Sequence, residues 1–535
     1  MSAIEMQQPK TGTVSVDSAS EEREAGHAVE SKVAHAYYDN SATDGATLRR
    51  LFSGFQLIAF SLTFMESWEV MAMNMGATFY NGGPQTLVWG ILLVVTGALT
   101  QSLSMAELAA IQPIAGAQYH WTHFLAPEKH KRFITWMQGW VTWFAWVSAL
   151  GGSTSSEGNI LLGLVATNYP SYSYQPWHLT LLIICQLVVV GLMNMYTFRA
   201  IPWLELLAGI LHVILWFIFV IVLVTLSPRH DADFVFFDRE VSSGWTNSMV
   251  SWNLGLLVPA WGFIGFDGVV HMSEEVKKAK SAVPRAMIWT ILLNGALAYG
   301  IILVLLFCMG NTEEVLASSY PIIPICQNAA GKAGGTALVV GLLVVTFCVV
   351  AASLASVSRI TWAWARDGGL PIWFAKIHPT HRVPIRSLWL PIAIVTCLSL
   401  FTVGNTATST VFAAFTALSS LGLYSSYIIA ISCMLHARLT GRLGDGPGHV
   451  VQYGGWKLPR GVGVPMNIVA LIWTIYLTIW LPFPTTIPVT GTNMNYAGPI
   501  FVFIVTFAVM YWFAYGKKNW PGLNTQAIAM VEAHD

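Results

Sequence analysis

Charged residues are scarce in this sequence. Lysine, arginine, aspartate and glutamate make up only 10% of its 535 residues, whereas an average soluble protein carries about 25%. Hydrophobic residues make up 55% of the chain, and the mean hydropathy is +0.58. This composition excludes an ordinary soluble domain and indicates an integral membrane protein.

Other features are missing as well. The 27 basic residues balance the 27 acidic ones, so the formal net charge of zero gives no argument for a nucleic-acid partner. The six cysteines have no metal-ligand spacing, and we expect no metal site, no cofactor and no disulfide framework. No apolar core follows Met1 closely, so we expect no cleavable signal peptide.

Long apolar runs fill most of the chain after residue 50. Runs of roughly 18–28 residues are long enough to cross a hydrocarbon core of ~30 Å. They predict an all-α polytopic membrane protein with about twelve transmembrane helices, at 52–79, 87–110, 133–164, 177–196, 201–226, 248–272, 286–310, 334–362, 386–403, 408–435, 465–482 and 497–516. The expected organisation is a disordered N-terminal tail over 1–50, a membrane domain over 51–516 and a short tail over 517–535.

Basic residues predict the orientation. If the N-terminus is cytoplasmic, 24 of the 27 lysines and arginines fall on inner segments, which leaves only Arg229, Arg239 and Lys332 outside. The positive-inside rule predicts this asymmetry for an even number of spans. We therefore expect both termini in the cytoplasm.

The sixth span contains WGFIGFDG (261–268). Each glycine costs a helix about 1 kcal/mol relative to alanine, and unwound backbone is tolerated at membrane depth only where it is buried or lines a cavity. Asp267 supports an inward-facing site, because a carboxylate at membrane depth is functional by default. The alternative is a small-residue packing face of Gly262, Gly265 and Gly268, with Asp267 capping a neighbouring helix.

The first span carries a matching irregularity. Its segment FSLTFMESWEVMAMNMG (60–76) places Glu66 and Glu69 in an otherwise apolar helix, so mid-membrane acids mark the first and sixth spans. Polar or glycine-interrupted helices at corresponding positions of two halves indicate an inverted-repeat transporter, with its substrate site at the broken helices. This symmetry rests on hydropathy, because no residue-level repeat is visible.

Several motifs carry a family resemblance: SWEVMAMNMGATFYNGGP (67–84), AELAAIQPIAGAQYHW (106–121), WGFIGFDGVVHMSEEVKKAKSAVPRAM (261–287), and ARDGGLP with IHPTHRVPIRS (365–371, 377–387). Through them the chain resembles the amino acid–polyamine–organocation superfamily and, within it, the fungal amino acid/choline permeases, a group that includes yeast choline and GABA permeases. The resemblance covers about residues 50 to 516. It implies a 5+5 inverted-repeat fold with broken helices 1 and 6, with Trp261 as an aromatic gate and Asp267 as the acid that follows it.

The candidate substrate-binding residues lie on these two helices. Half-helix N–H groups suit a carboxylate, whereas carboxylates and aromatic faces suit an ammonium group, which makes Glu66 the candidate partner of a cation. Phe266, Trp143 and Trp146 are further candidate aromatic walls, although most of the 23 tryptophans are expected at interfaces and in packing. The full set is Glu66, Ser67, Trp261, Gly262, Phe263, Gly265 and Asp267.

Candidates for ion coupling lie on the first, fifth and eighth spans. Glu69 is a candidate for proton transfer or for pairing with another helix, and the fifth span offers Glu205 and His212. A packing histidine is more common than a proton relay, although histidines titrate near neutrality. Sodium-driven relatives use helix-8 hydroxyls, which Ser353 and Ser356 would supply. We favour protons, because fungal plasma membranes generally maintain a proton gradient.

The predicted function is secondary active transport, namely proton-coupled uptake of a small amine-bearing solute such as an amino acid, GABA or choline. The expected partners are this solute, membrane lipid and H+. The expected location is the plasma membrane, with the vacuolar membrane as the alternative. An enzyme is not expected, because the 14 histidines suggest no ligand cluster. The alternatives are an exporter of a pathway metabolite and a non-transporting nutrient sensor of the same fold.

Overall fold

A computed structural model of the chain describes residues 48–403, 408–446, 448–491 and 493–524. Most of the expected N-terminal tail and the end of the C-terminal tail lie outside these residues. Within them the protein is built from helices. The strands described are β1 (Leu443–Gly444) and β2 (Val451–Gln452). They pair in parallel and lie in the connection between the helices Thr408–Leu439 and Gly463–Trp480.

The helices follow the order α1 (Gly54–Met65), α2 (Ser67–Ile111), α3 (Gln118–Leu125), α4 (Lys131–Asn168), α5 (Pro176–Tyr196), α6 (Ile201–Leu226), α7 (Ala232–Phe237), α8 (Ser248–Gly255), α9 (Leu257–Trp261), α10 (Ala279–Phe307), α11 (Thr312–Ala317), α12 (Ile322–Arg366), α13 (Ile385–Ser399), α14 (Thr408–Leu439), α15 (Gly463–Trp480), α16 (Ala497–Tyr511) and α17 (Lys517–Asn519). Short 3₁₀ helices include Gly268–Glu275, and a π-helical turn, Trp512–Gly516, follows α16.

Each of the twelve expected spans corresponds to described helices. By length and composition, eight helical runs are long and apolar enough to cross a membrane. The first of them, Gly54–Ile111, contains two expected spans, which the non-helical Gly82 and Gly83 separate. The remaining three expected spans are α4, the interrupted α8 and α9, and the 15-residue α13. The all-α polytopic membrane fold is therefore confirmed.

The interrupted helices lie in the centre of the bundle. α1 packs against α6 and α10, and α4 packs against α12 and α14. In α12, 72% of the most apolar window is buried inside the protein, against 22% in the run Ala497–Asn519. The run Ala497–Asn519 therefore lies at the outside of the bundle, whereas α12 is largely enclosed by protein.

A polar network anchors α3 beside this centre. The Tyr119 hydroxyl and His120 Nε2 each lie 2.7 Å from Asp367 Oδ2, just after α12. The backbone N–H of Asn524 donates to Asp367 Oδ1 at 3.1 Å. Burial raises the pKa of the Asp367 carboxyl, but His120 and Arg366 outweigh that effect and hold the pKa below its usual value. The ionised carboxylate thus joins α3, α12 and the C-terminal segment.

Candidate functional site

The first interruption is a single residue, Glu66, between α1 and α2. Its φ of 38° and ψ of 37° lie in the left-handed region, which costs a residue with a Cβ roughly 1–2 kcal/mol. Thr290 and Asn294 of α10 anchor the preceding turn by donating to the Ser61 and Leu62 carbonyls at 2.7 and 3.0 Å. Backbone strain held in place by its surroundings is typical of functional sites.

The second interruption is longer. α9 ends at Trp261, and the 3₁₀ helix resumes at Gly268. Between them Gly265 has a φ of +87°, a conformation that glycine adopts without steric cost. The glycine-rich stretch therefore breaks the sixth span as the sequence predicted.

Two tyrosines of α14 hold the ends of this second interruption. The Tyr424 hydroxyl donates to the Ala260 carbonyl at 3.0 Å, before the break. The Tyr427 hydroxyl donates to the Asp267 carboxylate, after the break, and accepts the Gly265 N–H at 3.2 Å. Because the two tyrosines are three residues apart, one face of α14 supports the whole unwound segment.

Asp267 belongs to this support. Its side chain is fully buried, and its two oxygens accept hydrogen bonds from Tyr427 and from Gln118 at the start of α3. Asp267 does not line the cavity described below. The structure therefore places this predicted binding residue in a bridge between the break, α3 and α14.

A small cavity of about 40 Å³ lies between the two interruptions, against the roughly 10–15 Å³ that one water molecule needs. Five predicted residues line it: Glu66, Trp146, Trp261, Gly265 and Ser353. Phe64 adds a further aromatic wall, and Ser153 adds a hydroxyl. Glu66 is 6% exposed, and its Oε2 atom has no hydrogen-bond partner among the described residues.

The remaining predicted binding residues surround the cavity without lining it. The Ser67 hydroxyl donates to the Gly262 carbonyl at 2.6 Å and so ties the first interruption to the second. Phe263 is 1% exposed within the core. On α12, the Ser356 hydroxyl donates to the Gly268 carbonyl at 3.0 Å, so Ser353 and Ser356 do not act on the same group.

Two of the coupling candidates meet directly. Glu69 Oε1 lies 2.5 Å from His212 Nδ1, and both side chains are fully buried. The Trp68 indole N–H also donates to His212 Nδ1, at 3.1 Å. The contact joins α2 to α6 immediately after the first interruption.

Glu205, the other acid among the coupling candidates, lies on the same face of α6, two turns before His212. It is fully buried, and its Oε2 accepts a hydrogen bond from Thr63 at 3.2 Å. Thr63 and Glu69 each stand three residues from Glu66 along the chain. Contacts of α6 therefore flank the first interruption on both sides.

Sequence reasoning missed Gln118, Tyr424, Tyr427 and Glu157. Glu157 lies within the third span, so the first and sixth spans are not alone in carrying acids. It is held by a hydrogen bond from Gln186 of α5 and interacts electrostatically with Glu66. The rule that drew attention to Glu66 would also have found it, whereas nothing local in the sequence marks Gln118 as a partner of Asp267.

Known proteins match this chain over most of its length. Residues 52–507 match the amino acid permease family. The choline transporter of Saccharomyces cerevisiae is 29% identical over 90% of this chain and 84% of its own length. A putative amino acid/polyamine transporter of Macrophomina phaseolina is 30% identical over 82% of this chain and 96% of its own length. Amino-acid permease 2 of Neurospora crassa is 26% identical over 89% of this chain and 86% of its own length.

Proposed function

Because this chain belongs to the amino acid permease family, and is therefore a membrane transporter rather than an enzyme, we propose that it carries a small amine-bearing solute by proton-coupled uptake. The observation that supports this proposal is the cavity between the two interrupted helices, with Glu66, Trp261 and Gly265 in its wall. Relatives named as choline, polyamine and amino-acid transporters support an amine as the substrate class.

Proton coupling is assigned to the Glu69–His212 pair. An indole N–H only donates, so the 3.1 Å bond from Trp68 needs a lone pair on His212 Nδ1. In this tautomer we propose that the proton is carried by the Glu69 carboxyl, and that the 2.5 Å contact with the same nitrogen is its path to the ring. When the proton moves to Nδ1, Trp68 loses its acceptor. Proton position is thereby linked to the packing of α2 against α6, next to the first interruption.

Sodium coupling has less support. A sodium site on α12 would need its hydroxyls to converge on one ion. Ser353 instead borders the cavity, while Ser356 donates to the Gly268 carbonyl. The proton is therefore the proposed coupling ion. The proposed location is the plasma membrane. Both termini are proposed to lie in the cytoplasm, as the distribution of basic residues favours.

The first experiment is uptake of radiolabelled choline, GABA, neutral and basic amino acids and putrescine in yeast that lacks its own permeases. We expect uptake of one class, abolished by a protonophore. Surface expression is measured in parallel with a tagged chain. Absence of uptake despite normal expression would contradict the proposal and favour an exporter or a sensor.

The coupling assignment is tested with Glu69→Gln. This change removes the shared proton but keeps a similar shape, so we expect the residual uptake to lose its dependence on external pH and on the protonophore. The matched control is Glu313→Gln, an exposed acid of α11. Retention of the normal pH dependence in Glu69→Gln would overturn the assignment.

A further inference from the structure

The chemistry of the cavity wall restricts the substrate class further. Glu66 is the acid in this wall, and Phe64, Trp146 and Trp261 contribute aromatic surface. Among the described residues that line the cavity there is no lysine, arginine or histidine. A carboxylate beside aromatic faces suits an ammonium group, through charge and cation–π attraction. The wall provides no positive side chain for an anionic group.

Broken helices ordinarily hold an anion through the N–H groups at the start of a half-helix. In this chain both such starts follow an acid: Glu66 precedes α2, and Asp267 precedes the 3₁₀ helix Gly268–Glu275. An acid of the protein itself therefore already stands at the positive end of each half-helix, which disfavours a second negative group there.

A backbone donor in the unwound segment of the sixth span is already hydrogen-bonded within the protein. The Gly265 N–H, which belongs to the cavity wall, bonds to the Tyr427 hydroxyl. Tyr427 in turn donates to Asp267, so its hydroxyl proton is engaged too. A substrate carboxylate at this point would have to displace a hydrogen bond that holds the break together.

A further acid acts in the same direction. Glu157 lies one helical turn beyond the cavity-lining Ser153 on α4 and interacts electrostatically with Glu66. Gln186 donates one hydrogen bond to it, but no salt bridge to Glu157 occurs among the described residues. A second acid thus stands one helical turn from the cavity wall.

We infer that the transported solute is a small organic cation without a carboxylate, with its ammonium group against Glu66 and the aromatic walls. The inference rests on the proposed function and narrows it from amine-bearing solutes in general. A zwitterion such as an amino acid or GABA would bring its carboxylate close to Glu66, where like charges repel and no basic side chain of the described cavity wall compensates.

Two pairs of molecules test the inference, each matched in size and differing in the carboxylate. Choline is compared with glycine betaine, and 4-aminobutanol with GABA, in cells that express the full chain and lack other permeases. We expect at least one carboxylate-free member to be taken up about 10-fold or more faster than its partner, because the carboxylate of the partner is repelled by Glu66. Equal or faster uptake of the carboxylate-bearing members would overturn the inference while leaving the proposed function intact.

The Glu66→Gln variant adds a readout that misfolding does not change. Uptake of the preferred cation is expected to fall about 10- to 100-fold, and the ratio of cation to zwitterion uptake is expected to fall with it. A defect in folding would lower both rates and leave their ratio unchanged. An unchanged ratio at normal surface expression would overturn the role of Glu66, and Glu313→Gln is the matched control.

If no member of either pair is taken up, thermal shifts of the purified full chain in detergent separate the two proposals. Stabilisation by choline or 4-aminobutanol, but not by their partners, would support the inference and overturn uptake as the direction of transport. No stabilisation by any of the four would overturn both.

Discussion

Glu66 and Asp267 stand at matching positions, each directly before the second half of an interrupted helix, but their surroundings differ. Asp267 is fully buried, and its oxygens accept hydrogen bonds from Gln118 and Tyr427. Glu66 borders the cavity, and its Oε2 has no partner among the described residues. An acid at membrane depth is costly unless it is paired. The hydrogen bonds of Asp267 therefore support the fold, whereas the position of Glu66 at the cavity is the basis for its proposed role in binding.

The backbone shows the same contrast. The second interruption uses glycine where φ is positive, at Gly265, and a tyrosine at each end to hold it. The first interruption places a side chain in the left-handed region, at Glu66. One break is thus built at little conformational cost, while the other carries strain at the residue that faces the cavity.

The largest effect is expected from Asp267→Ala, which leaves Gln118 and Tyr427 buried without their partner. Hydrogen bonds to a charged group contribute roughly 1.5–3 kcal/mol each, so we expect a loss of about 3 kcal/mol or more. The measurement is thermal unfolding of the purified chain in detergent, together with the fraction that reaches the cell surface.

Asp267→Asn serves as the control, because its amide still accepts from Tyr427 and can donate to Gln118 Oε1, which has no partner. It should be considerably more stable than Asp267→Ala. If Asp267→Ala has the same unfolding temperature as the unaltered chain and loses only uptake, Asp267 binds substrate. The proposed difference between Asp267 and Glu66 would then be wrong.

The two tyrosines of α14 are expected to differ. Tyr427→Phe removes contacts to both Asp267 and Gly265, whereas Tyr424→Phe removes the single bond to Ala260. We expect a loss of about 2–3 kcal/mol for the first and about 1 kcal/mol for the second. Thermal unfolding measures both, and equal losses would show that Asp267 does not depend on Tyr427.

Glu66→Gly should have the opposite effect on stability. Glycine relieves the left-handed strain, which amounts to roughly 1–2 kcal/mol, although it also increases the freedom of the unfolded chain. We expect a net gain of up to about 1 kcal/mol in thermal unfolding, combined with loss of uptake. A clear destabilisation would show that the Glu66 side chain supports the fold, as Asp267 does.

The smallest effect is expected from Ser67→Ala, which removes the 2.6 Å hydrogen bond between the two interruptions. A single neutral hydrogen bond contributes about 0.5–1.5 kcal/mol, so the chain should fold and still transport. Uptake at saturating substrate should fall by less than about 10-fold, since 1.4 kcal/mol corresponds to a factor of ten. Complete loss of uptake with normal folding would assign Ser67 to substrate binding.

Much of the fold could be predicted because its signals are local. Apolar runs of membrane length gave the spans, and glycine-rich or acidic stretches within them indicated the interruptions. The acids, however, were selected by depth alone. Position within an apolar span is the same signal for Glu66, Asp267 and Glu157, and it does not indicate which of these acids borders the cavity.

The sequence by itself therefore determined the class of protein, the succession of helices and the two places where a helix is interrupted, because each depends on neighbouring residues. Only the tertiary structure decided that Glu66 faces the cavity and that Asp267 is enclosed. The partners of Asp267 lie 149 and 160 residues away along the chain. Where the backbone leaves the helix, periodicity no longer fixes the direction of a side chain, so its direction follows from the helices packed around it.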